Sequence, residues 1–292
     1  MNNFIQNYEI ILENIQKQGI KFDFIQIRKP KLSNIELISM NLTAEYMGIN
    51  SECQLFRDIS STYLSKLIER SVYNRRKRRL FPYIEKLRKK LALAFNEFED
   101  MFIIDSMPLE VCENARASRS KICKEEVYSS PDKGFCASQN MYYYGYKLHG
   151  ICSINGVFQS IDITPASVHD INMLKDVKIN YSSCTLLGDM GYLSANYQLD
   201  LFHSAQIFLE TPMRKNQHNY SKQPYVFRKS RKRIETLFSQ LCDQFRIRQN
   251  FAKSFLGFKT RILSKITAVT LIQYLNKFVF NRPINKLKVN LY

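Results

Sequence analysis

Three acidic side chains in this sequence sit where carboxylates can do metal-assisted chemistry. Asp189 lies in Thr185-Leu-Leu-Gly-Asp189-Met-Gly-Tyr192, where an apolar run from Cys184 to Leu187 ends between Gly188 and Gly191. A run of that kind reads as a strand, the glycines break it, and they let backbone come close to a ligand, so the acid is expected at a strand end. Asp105 repeats the design in Met101-Phe-Ile-Ile-Asp105-Ser-Met-Pro108, with the proline expected to end the strand. Glu235 follows Arg231-Lys-Arg-Ile, where Ile234, Leu237, Phe238 and Leu241 recur at helical spacing and leave Glu235 on the flank of their stripe. Two acids on strands and one on a helix supply the oxygen donors of a hard divalent cation; Mg²⁺ is usually held by one or two carboxylates together with substrate phosphates. The plainer alternatives are strand-end polar residues for the aspartates and a surface ion pair with its arginines for Glu235.

The charge balance favours the metal-site reading. Lys and Arg number 43 against 26 Asp and Glu, a net +17, which points to a polyanionic partner such as nucleic acid. The cations are clustered: Arg75, Arg76, Lys77, Arg78 and Arg79 form one run behind Tyr73, whose ring offers a stacking surface, and Lys229, Arg231, Lys232 and Arg233 crowd ahead of Glu235. Cations set on phosphates release counterions, so binding is expected to weaken steeply with salt. Hydrophobic content of 45% and aromatic content of 13% indicate a globular chain. No apolar run reaches the ~20 residues of a membrane span, and Asn2, Asn3, Gln6 and Asn7 interrupt any leader, so a soluble cytoplasmic protein is expected. Seven cysteines without a Cys-x-x-Cys pair argue against a zinc site or disulfide framework, and most are expected to be reduced and buried.

These stretches resemble the DDE transposases of bacterial insertion sequences, and most closely the insertion sequence 982 family. The resemblance rests on Ile104-Asp-Ser-Met-Pro108, on Leu187-Gly-Asp-Met-Gly-Tyr192, and on Arg231-x-x-x-Glu235 with the following Phe-Ser-Gln-Leu; Tyr73 to Arg79 and Thr211-Pro-Met-Arg-Lys215 add to it. Many such enzymes carry a tyrosine three residues before the arginine and a basic residue seven after the glutamate, where this chain has Arg228 and Cys242. The resemblance implies an RNase H-like fold and a transposase that cuts double-stranded DNA at its element's ends and joins the 3′-hydroxyl to target DNA. It also implies Asp105, Asp189 and Glu235 as catalytic metal ligands for Mg²⁺, with Mn²⁺ as a substitute. Asp105 would bridge two ions and the others would each hold one. Arg214, Lys215, Arg231 and Lys232 join the Arg75 to Arg79 run as expected DNA contacts, in a homodimer or higher homo-oligomer associated with the nucleoid. A repair or recombination nuclease without strand transfer and a non-catalytic DNA-binding protein remain open alternatives.

Residues 1–98 read as helical and DNA-binding, and residues 99–292 as the catalytic domain with C-terminal helices. In the first part, Phe4, Tyr8, Ile11 and Ile15 outline a helix closed by Gly19. Ser33 with Glu36 forms a capping-box pattern, Gly48 ends that helix, and Ser51 with Gln54 opens the next, a helix-turn-helix outline. Another helix is expected from Phe81 to Asn96. Glu113 to Gln139 shows no period and reads as a long loop beside the first acid, turning at Ser130-Pro131-Asp132-Lys133-Gly134. Tyr142 to Ile154 and Val157 to Ile163 read as a hairpin about Asn155-Gly156. His169 and Asp170 are expected to cap a short helix or sit behind the metal ligands. A strand at Gln206 to Thr211, a polar loop at Met213 to Arg228 and a last helix from Phe255 to Phe280 complete a five-stranded mixed sheet, three strands antiparallel and two parallel, flanked by helices. Three acids crowded without metal should leave at least one titrating above its usual value.

Overall fold

A computed structural model of the chain describes residues 3–22, 28–95, 99–217, 220–288 and 290–291. Its contacts divide into two compact units, residues 1–95 with 240–292, and residues 96–239.

The first unit begins with α1 (Asn3–Lys17), which buries Phe4, Tyr8, Ile11 and Ile15 along one stripe. In α2 (Asn34–Tyr46) the capping box forms: Glu36 N–H donates to Ser33 Oγ at 3.2 Å and Ser33 N–H donates to Glu36 Oε2 at 2.6 Å. Ser51 caps α3 (Glu52–Asp58) by accepting from Gln54 N–H at 3.0 Å. Next come α4 (Arg70–Arg79) and α5 (Phe81–Leu93), the latter with a proline in its first turn, where a missing N–H costs nothing. Asn96, the expected end of α5, falls outside the described residues.

The second unit is a mixed six-stranded sheet. Its elements are β1 (Met101–Cys112), β2 (Asp132–Cys136), β3 (Met141–Ser153), β4 (Phe158–Pro165), α6 (Leu174–Asn180), β5 (Cys184–Leu187), α7 (Ala195–Ala205), β6 (Ile207–Glu210) and α8 (Tyr225–Asp243), whose last residues pass into the first unit. The order is β2-β3-β1-β5-β6, and β4 also pairs with β3. β1, β3 and β4 are antiparallel, while β5 joins β1 and β6 joins β5 in parallel, as the sequence implied.

Three expectations need correction here. β2 is a sixth strand inside the stretch taken for a loop; it sits where Ala166 O lies 2.7 Å from the Cβ position of Gly134, a closeness only glycine allows. Pro108 does not end β1, which continues to Cys112, because β5 pairs with β1 only at Met101–Ile103 and the strand edge beyond carries no ladder there for the proline to interrupt. The loop before Glu235 ends sooner than expected, since α8 begins at Tyr225.

Phe102, Ile104 and Leu186 face one side of the sheet, in a core with Leu174 and Val177 of α6 and Leu201 of α7. Side chains alternate along a strand, so Ile103 and Asp105 face the other side.

Residues 240–292, grouped with the catalytic part on sequence, pack instead with the N-terminal helices. Their main element, α9 (Phe255–Tyr274), lies against α2, α4 and α5 and is buried around nearly its whole circumference, so it is the central helix of the first unit. It continues as a π-turn at Leu275–Val279. Within this unit Lys265 Nζ donates to Glu45 Oε2 and to Phe245 O, both at 2.6 Å, and Arg261 Nε lies 4.0 Å from Glu45 Oε1. Beside them Lys77 Nζ reaches Glu52 Oε1 at 2.7 Å, and Asn74 donates to the same carboxylate. Among the described residues no helix is long and apolar enough to cross a membrane.

Candidate active site

Asp105 and Asp189 come to the same level of the sheet. Ile103 is registered with Leu187 across the parallel β1–β5 pair, and each aspartate lies two residues further on, so both should face the side opposite the α6–α7 core. Asp105 sits within β1 opposite Gly150 of β3, at the point where β5 leaves it, and Asp189 follows the end of β5 in extended backbone. The crevice beyond the carboxyl end of such strands is where α/β sheets take ligands. Gly150 marks what covers this face: its Cβ position is 2.9 Å from Phe158 Cε1 and 3.6 Å from Phe238 Cε1. Phe238 is one helical turn beyond Glu235, so α8 brings its acid to the Asp105 side, with Ile234, Leu237 and Phe238 buried and Glu235 exposed.

The charges meet on Asp105. Burial pushes its carboxyl up to about 7; the Ser106 N–H, donating to Oδ1 at 2.8 Å, opposes this, the charges of Asp189 and Glu235 add to it, and Arg231 lowers it. The expected acid with raised proton affinity is therefore Asp105, with burial ahead of like-charge crowding as the cause. Asp189 is oriented by the Gly191 N–H, which donates to Oδ1 at 2.7 Å. Among the described residues, no three His, Cys, Asp or Glu side chains are grouped at metal-holding spacing. The three acids thus interact electrostatically without closing to ligand distance. Their chemistry still suits a hard divalent cation: all are carboxylate oxygens, and the most buried one is uncomfortable as an anion without added positive charge.

His169 accepts from Ile171 N–H at 3.3 Å and so caps the 3-10 turn Asp170–Met173, as expected. Asp170 instead pairs with Lys147 Nζ at 3.0 Å. Sequence reading singled out neither Lys147 nor Tyr192, which is 1% exposed; the glycines at 188 and 191 were the available signal for the tyrosine.

The expected DNA contacts separate into two groups. Arg75 and Arg79 are exposed and Arg78 half-buried, and Arg214, Lys215 and Lys232 are exposed with Arg231 half-buried. Lys77 is buried on Glu52, and Arg76 Nη2 donates to Leu32 O at 2.8 Å and Asn34 Oδ1 at 3.0 Å, so these two brace α4 rather than face solvent. Tyr73 is also no stacking platform: it is buried, its ring meets Phe56 edge-on at 5.6 Å and its hydroxyl reaches Asn41 at 3.3 Å. Helical periodicity explains this, because positions 73 and 77 share the face of α4 that packs inward. Arg228 lies 5.8 Å over the ring of Tyr225 on exposed surface. Of the cysteines, Cys123, Cys152 and Cys184 are buried, three of seven rather than most.

No curated protein and no solved structure matches the chain. Residues 96–271, well over half of the sequence and containing all three acids, match the family described as Transposase DDE domain. The three candidate acids, on β1, after β5 and on α8, thus lie inside the matched segment, and the chain belongs to that transposase family.

Proposed function

We propose that the protein cleaves double-stranded DNA at the ends of an insertion sequence, in the manner of the insertion sequence 982 family, and transfers the freed 3′-hydroxyl to target DNA. Asp105, Asp189 and Glu235 are its catalytic acids on an RNase H-like sheet. The observation that carries this reading is the raised carboxyl of Asp105, which is half-buried on β1 and feels the charges of both other acids within the segment that matches a transposase family.

These three carboxylates would hold Mg²⁺, or Mn²⁺ in its place, and such ions when bound activate the attacking oxygen and offset charge on the leaving one. The residues of the chain do the rest. Asp105 keeps a proton on its carboxyl below about pH 7 and gives it up as the site takes on positive charge. The Gly191 N–H fixes the direction of the Asp189 carboxylate. Arg231, one helical turn before Glu235, holds the scissile strand, with Lys232, Arg214 and Lys215 on neighbouring phosphates. Arg75, Arg78 and Arg79 track phosphates of the element end, helped by the helix-turn-helix outline of α2 and α3, and the working form is a homodimer or larger assembly on nucleoid DNA.

The test is to incubate purified protein with its own flanking genomic DNA and Mg²⁺ or Mn²⁺ and to map new ends and joints. Cuts with 3′-end joining support the proposal. Hydrolysis without joining would make the protein a nuclease of repair or recombination, and binding without any cut would make it a non-catalytic DNA-binding protein. Asp189→Asn should keep DNA binding and lose cleavage.

A further inference from the structure

The basic surface of the helical unit is not confined to α4. Along α5 the apolar stripe of Ile84, Leu87 and Leu91 is buried, while Lys86, Lys89 and Lys90 recur at three and four residues on the exposed side. Lys21, just beyond α1, is also exposed and joins them around one groove between the end of α1 and the outer face of α5. Two ties fix the walls of this groove. Lys90 Nζ donates to Gln18 O, the first carbonyl past α1, and the rings of Phe22 and Tyr83 meet with centroids 4.8 Å apart. Between them Gly19 turns the chain at φ +60°, and a Cβ there would meet nothing within 4 Å, so the groove is open beside it.

The charge of the groove is not balanced from within. Among the described residues that line it Glu85 is the one acid, and Arg88 already takes both its oxygens. Arg88, fully buried, donates from Nε to Oε2 at 2.7 Å and from Nη2 to Oε1 at 2.6 Å. Lys89 Nζ stands off at 3.9 Å from the same carboxylate, and among the described residues Lys21 and Lys86 have no ion pair. Like charges three and four apart destabilise the helix that carries them. Helix-end dipoles account for Lys90 on Gln18 O and for Lys89 in the last turn of α5, but their reach ends within one turn and leaves Lys86 unexplained.

We propose that this groove binds the phosphate backbone of double-stranded DNA, as a contact separate from Arg75, Arg78 and Arg79. It rests on the DNA partner of the function proposed above and not on cleavage. A helix rises about 1.5 Å per residue, so Lys86 and Lys90 stand roughly 8–14 Å along α5 from the end that joins α4, far enough to meet a different phosphate. The contact is sequence-independent, because an ammonium placed on a phosphate positions DNA without reading its bases.

The test is the affinity of the full chain for a random-sequence duplex, followed by fluorescence anisotropy between about 50 and 200 mM salt. Lys86→Gln with Lys89→Gln should weaken binding roughly 10-fold at low salt and flatten the log–log salt dependence by roughly 0.9 for each lysine that sat on a phosphate. Lys86→Gln alone should give about half that change in slope with an undiminished melting temperature, since it removes a like-charge neighbour from α5. Lys17→Gln is the control: that lysine is exposed nearby but pairs with Glu13 at 2.7 Å, and its loss should leave the slope alone. The proposal is overturned if the Lys86 and Lys89 variants keep the wild-type slope, or if Lys17→Gln flattens it as much, which would make binding a matter of diffuse surface charge. It also falls if the double variant loses binding to phosphatidylserine vesicles while DNA binding stays intact, since the groove would then face a membrane. Wild-type protein that binds the duplex but neither cuts nor joins its flanking DNA would end the catalytic reading and leave the groove standing. Wild-type protein that binds no duplex would end both.

Discussion

The two units bury carboxylates in opposite ways. In the helical unit Glu45 meets Lys265 and Glu52 meets Lys77. Burial works against the charge of Glu52, but the Lys77 charge and the hydrogen bonds from Lys77 and Asn74 outweigh it and hold the carboxyl below its usual value. In the sheet unit Asp105 is half-buried with acids near it, Arg231 compensates only in part, and desolvation raises the carboxyl. Closed pairs make a scaffold, because each charge has its counter-charge inside the protein. An acid left short of counter-charge is a site, because something outside must supply it.

The comparison breaks first at the chemistry. Asp105→Asn and Glu235→Gln should each reduce cleavage by roughly 10⁴-fold or more while DNA affinity is kept, read by single-turnover assays on saturating DNA. Equal loss of affinity would make these acids structural, like Glu45.

Next is the scaffold. Lys265→Met leaves Glu45 buried without its main partner and should destabilise the helical unit by about 3–5 kcal/mol in urea unfolding, and adding Glu45→Gln should recover much of that. If the double variant unfolds as early as the single one, the pair contributes more than mutual neutralisation.

The two acids should also respond to pH with opposite sign. Asp105 has a folded pKa of about 7 against a usual value of 3.8, so the folded protein holds its proton more tightly than the unfolded chain. Its contribution is present at low pH and is lost as pH rises from about 4 through about 7. Asp105→Asn should therefore gain about 2 kcal/mol over wild type at pH 8 and little at pH 4, with Mg²⁺ closing the gap at pH 8. Glu52, held below its usual 4.5, contributes stability above that pH and loses it as pH falls through the lowered value, so the deficit of Glu52→Gln should vanish in acid. Melting temperatures across pH 3–9 check both signs.

The smallest effect concerns the basic run. Arg75→Glu with Arg79→Glu should weaken DNA binding and flatten its salt dependence by roughly 0.9 in log–log slope for each phosphate no longer neutralised. Lys77→Met, one residue from Arg78 but facing Glu52, should lower the melting temperature and leave that slope alone.

The sequence carried those features that depend on local pattern. The antiparallel trio, the parallel pair, the caps at Ser33 and Ser51 and the end of β5 before Asp189 follow from alternation, apolar runs and capping residues that announce themselves within a few positions. What was not legible depends on distant partners. β2 hides in Asp132-Lys-Gly because its reason for being a strand is β3 and the nearby Ala166 backbone. The run from Arg75 to Arg79 looks uniform as a string, yet a helix turns Lys77 inward and Arg79 outward, and only Glu52, 25 residues away, decides which. In the candidate site, the types and order of Asp105, Asp189 and Glu235 were readable. The Lys147–Asp170 pair was not, because its partners come from separate stretches of the chain.

The Glu45–Lys265 pair has a consequence for how this protein is made. The partners are 220 residues apart, and the sheet unit is encoded between them. At ~5–20 residues per second, Glu45 emerges from the ribosome roughly 10–40 s before the lysine that neutralises it. During that interval the N-terminal helices lack their central helix α9, and the sheet unit can fold first. A chain cut short between Glu235 and Lys265 carries all three candidate acids but an unfinished helical unit, so the sheet unit is complete in sequence before the scaffold that holds α9 is.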